Sequence, residues 1–503
     1  MRRAILFCVA LFSALPFHGS AQTKIRILSS DITDIIKEDS GSRVYYLRGN
    51  VGLQQDEAKM YCDSAVLRQP ENTFDAFGNV RIVQADTTTI TGKTLNYDGA
   101  QRLFTISHDV VLSTPNSTLK TSALRYDRND HNAYYLTRST LYRKHLKLTS
   151  DKGVYNTRLE QIRLRGQVEA IDSSYQLFTD TLLYFPNRNS YRFLGPSKLY
   201  RDSAQIYCNL GSYNADDAQL NLGRGARIES PKSLILADSV AYNLSEETGE
   251  LFNEALVADS AQGFVLESSY MYYIKEPNFV DAASPVYYKQ SMDSDTLFAV
   301  GDTLRIREDS LGYRNIRMIG KTAFLSNEFQ GRSEHFSYSE SKEELALYPA
   351  PILWSNKSQF QCDSAVLMMV DKKLDSLYLH QKVRIVSQTE DSAYFDAASG
   401  KYLYGSFVDD QLSQIYLEGN AQSIVHNFSG KAVPDGINTT ACSFIQTSFK
   451  EGAVDRVRAS KSVDAQYLPW EYGGKSSAKL EGCSPRFSER TTIEQVRPSP
   501  RKE

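Results

Sequence analysis

The sequence predicts an all-β fold made of about twelve stacked repeats of roughly 29 residues, each with two strands. Three observations support this prediction: a fixed spacing between tyrosines, an alternation of apolar and polar residues that is typical of strands, and turn residues between those strands. Beyond residue 21 the sequence shows no amphipathic helical period of useful length. Because each repeat in such a stack contacts only its neighbours, we expect an elongated molecule.

Tyrosines mark the repeat. A unit this short cannot bury its apolar face alone, whereas units stacked on one another can. The register continues less regularly as far as Phe395. The regular part consists of six tyrosines, each 29 residues after the last: Tyr97, Tyr126, Tyr155, Tyr184, Tyr213 and Tyr242.

A verbatim internal match supports the same conclusion. The hexapeptide CDSAVL occurs at residues 62–67 and again at residues 362–367. The tetrapeptide VRIV follows each copy, at residues 80–83 and 383–386. The two halves of the chain are therefore built from the same unit.

Each repeat contains two candidate strands. The first strand ends in an apolar and an aromatic residue two positions apart, which places both on one face. The second strand contains a glycine followed by alternating apolar residues, as in AFGNVRI from residue 76 and LRGQVEA from residue 164. Turn sequences such as YDGAQR and FPNRNS separate the strands and are rich in Asn, Asp, Gly and Pro.

The residues on the predicted inner face form the candidate binding stripe. They could pack as an ordinary core between two sheets, or they could line a groove that an apolar ligand enters, and the sequence leaves both interpretations open. The stripe comprises Leu95, Tyr97, Leu124, Tyr126, Leu182, Tyr184, Val240 and Tyr242 of first strands, with Val80, Ile82, Val110 and Leu112 of second strands.

Four segments are predicted. Residues 1–21 are typical of a secretory signal, with basic residues before an apolar run and small residues at its end. Residues 22–275 and 276–460 form two sets of repeats, separated by a longer connection near residue 276. Residues 461–503 are rich in Gly, Ser, Pro and charge and are predicted to be a disordered tail. We therefore expect an exported protein of the periplasm or cell exterior, soluble or peripheral to the outer membrane.

Composition and charge exclude one class of partner. The chain has 57 basic and 60 acidic residues, a formal net charge of −3, and these charges are interleaved along the sequence. Nucleic-acid binding needs a concentrated basic surface. The sequence therefore predicts no nucleic-acid partner.

Export normally suggests disulfides, but the repeat argues against them for three cysteines. Cys62, Cys208 and Cys362 occupy the same small-residue position in units far apart along the stack. Their Cα atoms should lie well beyond the roughly 7 Å that a disulfide allows, so we predict free thiols. Cys442 and Cys483 could pair, and the sequence does not decide this.

No motif predicts a catalytic residue, a cofactor or a metal site. The six histidines after residue 21 fall in different repeats, without the spacing of a metal site or a catalytic triad. Recurring aspartates could suggest stacked calcium sites. Other residue types hold the same position in other repeats, so we interpret these acids as solvated strand ends. They are Asp63, Asp151, Asp180, Asp238, Asp302 and Asp363.

The repeated phrase resembles a known family. Strands containing GNV alternate with strands of the form DTLxY, as in FGNVRIVQADTTTITGKTLNYD and LRGQVEAIDSSYQLFTDTLLYF. This alternation resembles the organic-solvent-tolerance (OstA-like) family of periplasmic lipopolysaccharide transport proteins. The resemblance covers residues 24–455 and is strongest over residues 45–245.

The resemblance implies a fold and a role. Family members form an open β-jellyroll whose two sheets make a V, with lipid A acyl chains held between them. Their jellyrolls join end to end through edge strands and bridge the inner and outer membranes. The implied partners are lipopolysaccharide and other jellyroll transport proteins of both membranes, with end-to-end self-association as a further expectation. The implied protein is a carrier or scaffold for outer-membrane assembly and not an enzyme.

Two alternatives remain at this stage. One is an extracellular β-solenoid enzyme that acts on polysaccharide, although such solenoids usually have shorter coils and cluster acids on one face. The other is a purely structural protein of the cell envelope with a dry core. A ligand-accessible inner face would distinguish the carrier from the structural protein.

Overall fold

The structure is a computed structural model of the chain. It describes residues 24–38, 42–84, 87–201, 203–274, 279–292, 295–327, 329–370, 373–389, 394–408, 411–430, 433–450, 453–472, 474 and 479–498. The predicted signal, residues 1–21, lies outside these ranges, as do residues 275–278 at the predicted connection.

The chain divides into two compact units, residues 1–187 and 188–503. The sequence instead places a boundary near residue 276. That expectation rested on a composition change, whereas the strands continue through this region: a strand that ends at Ile274 pairs with one that begins at Phe279. Antiparallel pairing therefore joins the two sides of the predicted boundary within one unit.

Fourteen strands make up the described part of unit 1. They are β1 (Arg26–Ser29), β2 (Ile32–Lys37), β3 (Arg43–Gln55), β4 (Ala58–Arg68), β5 (Thr73–Gln84), β6 (Thr88–Asp98), β7 (Leu103–Thr114), β8 (Ser117–Asp127), β9 (Asn132–Tyr135), β10 (Ser139–Arg143), β11 (Leu146–Ser150), β12 (Lys152–Asn156), β13 (Gln161–Ile171) and β14 (Gln176–Phe185).

Unit 2 continues in the same way, and short helical segments follow its strands, among them Trp470–Tyr472, Phe487–Glu489 and Ile493–Val496. The strands are β15 (Ser190–Arg201), β16 (Ala204–Asn214), β17 (Gln219–Glu229), β18 (Ser233–Asn243), β19 (Thr248–Asp259), β20 (Phe264–Ile274), β21 (Phe279–Ser291), β22 (Thr296–Glu308), β23 (Arg314–Leu325), β24 (Gln330–Ser339), β25 (Glu344–Tyr348), β26 (Ile352–Ser355), β27 (Ser358–Gln361), β28 (Ser364–Val370), β29 (Lys373–Gln388), β30 (Phe395–Val408), β31 (Gln411–Asn427), β32 (Gly436–Lys450), β33 (Ala453–Ser460) and β34 (Asp464–Pro469).

The all-β prediction is confirmed, and so is the repeat of strand, turn, strand and turn. Successive long strands pair antiparallel, as β5 does with β6 and β6 with β7. Tyr97 lies opposite an aromatic residue of each neighbouring strand, Phe74 of β5 and Phe104 of β7. The period of 29 residues is therefore the length of one hairpin.

Many second strands of the repeats bend at a corner where two successive residues have positive φ, and most of these pairs contain a glycine. In β5, Gly78 and Asn79 both have positive φ, at 73° and 40°, and the pairing with β6 shifts there. Two residues of β5 thus lie opposite one residue of β6, which is a β-bulge. Glycine suits this position because positive φ costs it little. Equivalent pairs recur at Gly49–Asn50, His108–Asp109, Gly166–Gln167, Arg224–Gly225, Asn253–Glu254, Gly320–Lys321, Gln381–Lys382 and Gly419–Asn420.

The corners divide each unit into two walls. We call the part of a strand on the tyrosine side of the corner the first wall, for example residues 73–77 of β5, and the other part the second wall, residues 80–84. In β5 the buried side chains are Phe74 and Ala76 before the corner and Val80 and Ile82 after it. The same face therefore stays inside on both walls.

Strands β9 to β12 confirm the two walls, because here the corner interrupts the strands completely. In the first wall β9 pairs with β8 and β12. In the second wall β10 pairs with β8 and β11. Fully buried leucines and isoleucines such as Leu47, Ile106 and Leu164 fill the inner face, each contributing about 1.5–3 kcal/mol to folding.

The C-terminal residues 479–498, which we call the strap, pack on unit 2. Gln359 and Phe360 are neighbours in β27 and point to opposite faces, yet they are 0% and 1% exposed. Phe360 lies on the inner face opposite Ile385, so the strap covers the outer face, where Gln359 lies. Gln359 donates from Nε2 to the Ser484 carbonyl at 3.0 Å and accepts from the Arg486 N–H at 2.6 Å.

The expectation that residues 461–503 form a disordered tail is therefore wrong for the strap. Its polar composition is typical of disorder, but its few apolar side chains are buried or stacked on the sheet. Phe487 stacks on Phe395 with ring centroids 5.7 Å apart, and Val496 is 1% exposed. Trp354 is 1% exposed and lies on the outer face, opposite Gln359.

Cys62, Cys208 and Cys362 are free and buried, as predicted. Cys442 and Cys483 are also free, so the pairing that the sequence left open does not form. In the part of the chain that the structure describes, no helix has the length and hydrophobicity needed to cross a bilayer.

Candidate functional site

The candidate site is the space between the two walls of unit 1. A column of cross-strand aromatic pairs lines the first wall, because the hairpin period places aromatic residues opposite one another. The ring centroids of Phe74 and Tyr97 are 5.0 Å apart, and those of Phe104 and Tyr126 are 5.2 Å apart. Rings at this separation attract each other beyond the effect of their burial.

A cavity of about 60 Å³ lies between this column and the second wall. Phe74, Leu95, Tyr97, Phe104 and Tyr126 line it from the first wall. Leu53, Met60 and Ile82 line it from the second wall. The walls therefore face each other across an apolar space, which is smaller than a lipid acyl chain in the conformation observed.

Polar side chains close the mouth of this cavity and form what we call the latch: Gln55, Asp56, Tyr97 and Arg128. Gln55 and Asp56 lie at the free end of the second wall, and Arg128 lies in the turn at the free end of the first. Arg128 donates from Nη1 to Gln55 Oε1 at 3.2 Å and from Nη2 to Asp56 Oδ2 at 2.8 Å. The Tyr97 hydroxyl donates to the same Gln55 oxygen.

The latch is a partly buried polar contact. The Arg128 side chain is 19% exposed and the Asp56 side chain 34%. Burial acts to lower the pKa of Arg128, but hydrogen bonds to Asp56 and Tyr97 outweigh it and raise this pKa. The guanidinium therefore stays charged, and its contacts hold the two free ends together.

A second cavity of unit 1, about 30 Å³, lies farther along the inner face. Leu112, Leu141 and Leu164 line it, together with Tyr135 and Tyr155. Tyr135 donates or accepts a hydrogen bond with the Ser150 hydroxyl at 2.7 Å, and burial raises the pKa of Tyr135 to about 12. Both cavities of the inner face are therefore small compared with an acyl chain.

The structure places all twelve stripe residues on strands, and it buries ten of them. Tyr126 and Tyr242 are the exceptions, since each is half-buried. Ile82, Leu95, Tyr97 and Tyr126 meet at the larger cavity, and Leu112 lines the smaller one. The remaining members of unit 1 are Val80, Val110, Leu124, Leu182 and Tyr184, and Val240 and Tyr242 belong to unit 2.

Sequence reasoning missed the latch. Arg128 stands in the turn YDRNDHN and looks like an ordinary solvated turn residue. Its partners are 72 and 73 residues away, and only the folding of the walls brings them together. Sequence reasoning also missed Phe74 and Phe104. Both stand at strand positions that alternate with polar residues, and this alternation predicts that they face the interior.

The recurring aspartates lie at corners. Asp151 and Asp363 stand between two strands, whereas the other four lie inside strands, so the interpretation as strand ends is wrong for those four. Asp63 stands in the middle of β4 and accepts from Asn79 Nδ2 at 2.9 Å, across the bulge. Asp363 pairs with Lys382 at 3.1 Å. Within the described ranges no group of three or more His, Cys, Asp or Glu side chains could hold a metal ion.

Comparison with known proteins finds a family similarity over the first part of the chain. Residues 22–180 match the family model described as OstA-like protein. We call residues 22–180 the OstA-like domain, because the similarity extends over them. The resemblance predicted from the repeated phrase is thus confirmed for this range, and the OstA-like domain contains every residue that lines the larger cavity.

Solved structures also match. One of them is LptH of Pseudomonas aeruginosa, described as the LptA homologous periplasmic component of the conserved lipopolysaccharide transport device. It is 14% identical, with a TM-score of 0.20, and the match covers 21% of this chain and 79% of LptH. This score is too low to support a structural inference about the OstA-like domain. No curated protein matches the chain.

Proposed function

We propose that the protein is a periplasmic carrier for lipopolysaccharide and that the acyl chains enter the space between the walls of unit 1. The observation that supports this most is the apolar cavity, which is lined from both walls and has the latch at its mouth. Each acyl methylene that leaves water for such a surface gains about 0.8 kcal/mol. The OstA-like domain is the family evidence for the same role.

The size of the cavity requires the walls to separate. About 60 Å³ does not hold an acyl chain, so binding must open the mouth and spread the aromatic column. The inner face can then exchange contacts between its own side chains for contacts with the lipid. Loading therefore depends on breaking the hydrogen bonds of Arg128.

Edge strands supply the proposed route to partners. β1 and β2 each pair with β3, which leaves their far edges open among the described strands. Ile32, Ile35 and Ile36 of β2 are 55%, 58% and 52% exposed. An exposed apolar edge strand is a template for pairing with another chain. We propose that a jellyroll partner or a second copy adds a strand here.

The proposed role needs no catalysis, cofactor or metal. The inner face offers aliphatic and aromatic side chains, and the latch side chains are hydrogen-bonded to one another. Such a surface suits holding and releasing a lipid. We therefore propose a protein that is not an enzyme.

Site-specific photo-crosslinking in cells tests the carrier role. A crosslinking amino acid at Tyr126, which is half-buried at the cavity, should form adducts with lipopolysaccharide. The same crosslinking amino acid placed at position 125 is the control, because Arg125 is exposed and points to the opposite face. Adducts at neither Tyr126 nor Tyr184 would favour a structural protein with a dry core and would reject the carrier.

A further inference from the structure

A larger, polar cavity lies in unit 2, between the strap and the outer face of the second wall. Its volume is about 600 Å³. Lys321, Arg332 and Glu334 line it from the sheet, and Arg486, Glu489 and Gln495 line it from the strap. The lining is therefore charged, in contrast to the apolar cavities of unit 1.

The charges of this cavity are unequally paired. Arg486 forms a bidentate pair with Glu489, with Nε to Oε1 at 2.7 Å and Nη2 to Oε2 at 2.5 Å. The hydrogen bonds from Arg486 lower the pKa of Glu489, so this carboxylate stays ionised and bound to Arg486. The charge of Arg332 also lowers the pKa of Glu489. The lining thus carries three cations, Lys321, Arg332 and Arg486, against the two carboxylates of Glu334 and Glu489.

Arg332 has an unused donor. Its Nη2 donates to Gln495 Oε1 at 2.8 Å, but its buried Nε has no partner in the described structure. Lys321 stands at a corner, is exposed, and makes no ion pair with a described residue. A buried donor without an acceptor is unfavourable, and guanidinium groups bind phosphate and carboxylate oxygens especially well.

We propose that this cavity binds a phosphate monoester. The Arg332 guanidinium and the Lys321 ammonium hold its oxygens, and Gln495 and Arg486 link the occupied site to the strap. A dianionic monoester matches two incompletely paired cations better than a single carboxylate does. The cavity is much larger than a phosphate ion, so the ligand carries its phosphate on a larger body.

Binding to this site should also order the strap. The strap supplies Arg486, Glu489 and Gln495, so a ligand that bridges them to the sheet favours the docked strap. The site lies on the outer face of unit 2, far in sequence from the latch and stripe of unit 1. It does not depend on the proposed lipid cleft.

The test uses the full exported chain, residues 22–503, and two probes of the same chemistry. Glycerol 3-phosphate is titrated by calorimetry, and vesicles of phosphatidylcholine with and without phosphatidic acid are tested by flotation. Arg332→Gln should weaken binding about tenfold, the loss expected for a charged hydrogen bond. Arg456→Gln, an exposed arginine of β33, is the matched control and should bind like the parent protein.

Hydrogen exchange distinguishes a bound ligand from a general charge effect. Amides of residues 484–496 should exchange more slowly with ligand present, and this protection should vanish in Arg332→Gln. Lys321→Gln is the second variant, because Lys321 is exposed and its replacement leaves the buried interface intact.

The outcomes separate the sources of the phosphate. Arg332-dependent binding of glycerol 3-phosphate supports a soluble ligand, and Arg332-dependent binding to phosphatidic acid vesicles alone supports a lipid headgroup. Absence of saturable binding to both probes overturns the proposal. Equal binding by the parent protein, Arg332→Gln and Lys321→Gln overturns it as well.

Discussion

Arg128 shows how much one side chain can decide in this protein. Its two hydrogen bonds join the free ends of the walls across the mouth of an apolar space. Exposed ion pairs are usually worth less than 1 kcal/mol, but Arg128 is mostly buried and its loss removes one donor from Asp56 and one from Gln55. The residue is thus suited to hold the closed state without making opening impossible.

Arg128→Gln should therefore open the cleft. We expect a loss of about 1 kcal/mol in the free energy of unfolding and tighter binding of the fluorescent apolar ligand N-phenyl-1-naphthylamine. Denaturant titration and fluorescence titration measure the two effects. Arg125→Gln, at an exposed position of β8 three residues earlier, is the control. Unchanged ligand binding in Arg128→Gln would rule out a gating role for the latch.

The buried thiols permit a second prediction at this scale. Burial raises the pKa of Cys62 and of Cys208 to about 11, so their thiolate fraction at pH 8 is about one hundredth of that of an ordinary thiol. Native protein should react with Ellman's reagent mainly at half-buried Cys483, and the other cysteines should react only after denaturant is added. Fast labelling of Cys62 in the native protein would contradict this.

The bend in a strand places its two parts in different walls, so each repeat contributes to both. The corner needs positive φ at two successive residues and space beside the neighbouring strand. At Gly78 an added Cβ would lie 2.3 Å from Asp63 Oδ2, whereas at Gly225 nothing lies within 4 Å. Gly78 is therefore favoured both by its positive φ and by the lack of room for a Cβ, whereas Gly225 is favoured by its positive φ alone.

Gly78→Ala should destabilise more than Gly225→Ala. Both substitutions carry the cost of positive φ, about 1 kcal/mol, and Gly78→Ala adds the clash with Asp63. Thermal unfolding should place the Gly78→Ala midpoint lower, and Asp63→Ala in the same chain should recover part of the difference. Equal midpoints for the two glycine variants would show that the clash relaxes freely.

The edge strand β2 gives the next prediction. Ile35→Lys places a charge on an open apolar edge, a common way in which natural proteins prevent strand addition. Self-association measured by light scattering should fall. Leu159→Lys, at an exposed turn with 68% exposure, is the control for added charge and lost hydrophobicity. An equal effect of both variants would mean that association does not use β2.

For the whole molecule, burial of many weak acids predicts sensitivity to alkali. Burial raises the pKa of Cys362, Tyr135 and Tyr273 to about 12. In the unfolded chain thiols and tyrosines lose their protons near pH 9 and 10, so above pH 9 the unfolded state binds fewer protons than the native state. The free energy of unfolding therefore falls as the pH rises above about 9.

The free energy of unfolding should stay level from pH 7 to 8.5 and decline from about pH 9 to 12. Each buried thiol should contribute about 1–2 kcal/mol after allowance for solvent screening. Urea titrations at a series of pH values measure this, and the triple variant Cys62→Ala, Cys208→Ala, Cys362→Ala should decline less steeply. A curve that is flat to pH 11 would contradict the assigned burial.

The sequence allowed the repeat and the inner face to be predicted because both are periodic. Tyr97 and Leu95 repeat every hairpin, so alternation alone puts them on the buried side. The corners were not predicted, since positive φ at His108 or Gln381 has no signal as clear as glycine. The latch and the strap depend on contacts between residues far apart in the chain, such as Gln359 with Ser484. Local composition carries no information about such contacts.

The covering of Trp354 by the strap has a practical consequence. The chain has two tryptophans, and the indole of Trp354 is buried between the sheet and the strap. If that segment lifts, the ring meets water and its emission moves to longer wavelength. With Trp470 replaced by phenylalanine, the intrinsic fluorescence of Trp354 would show in real time whether the strap is docked on the sheet.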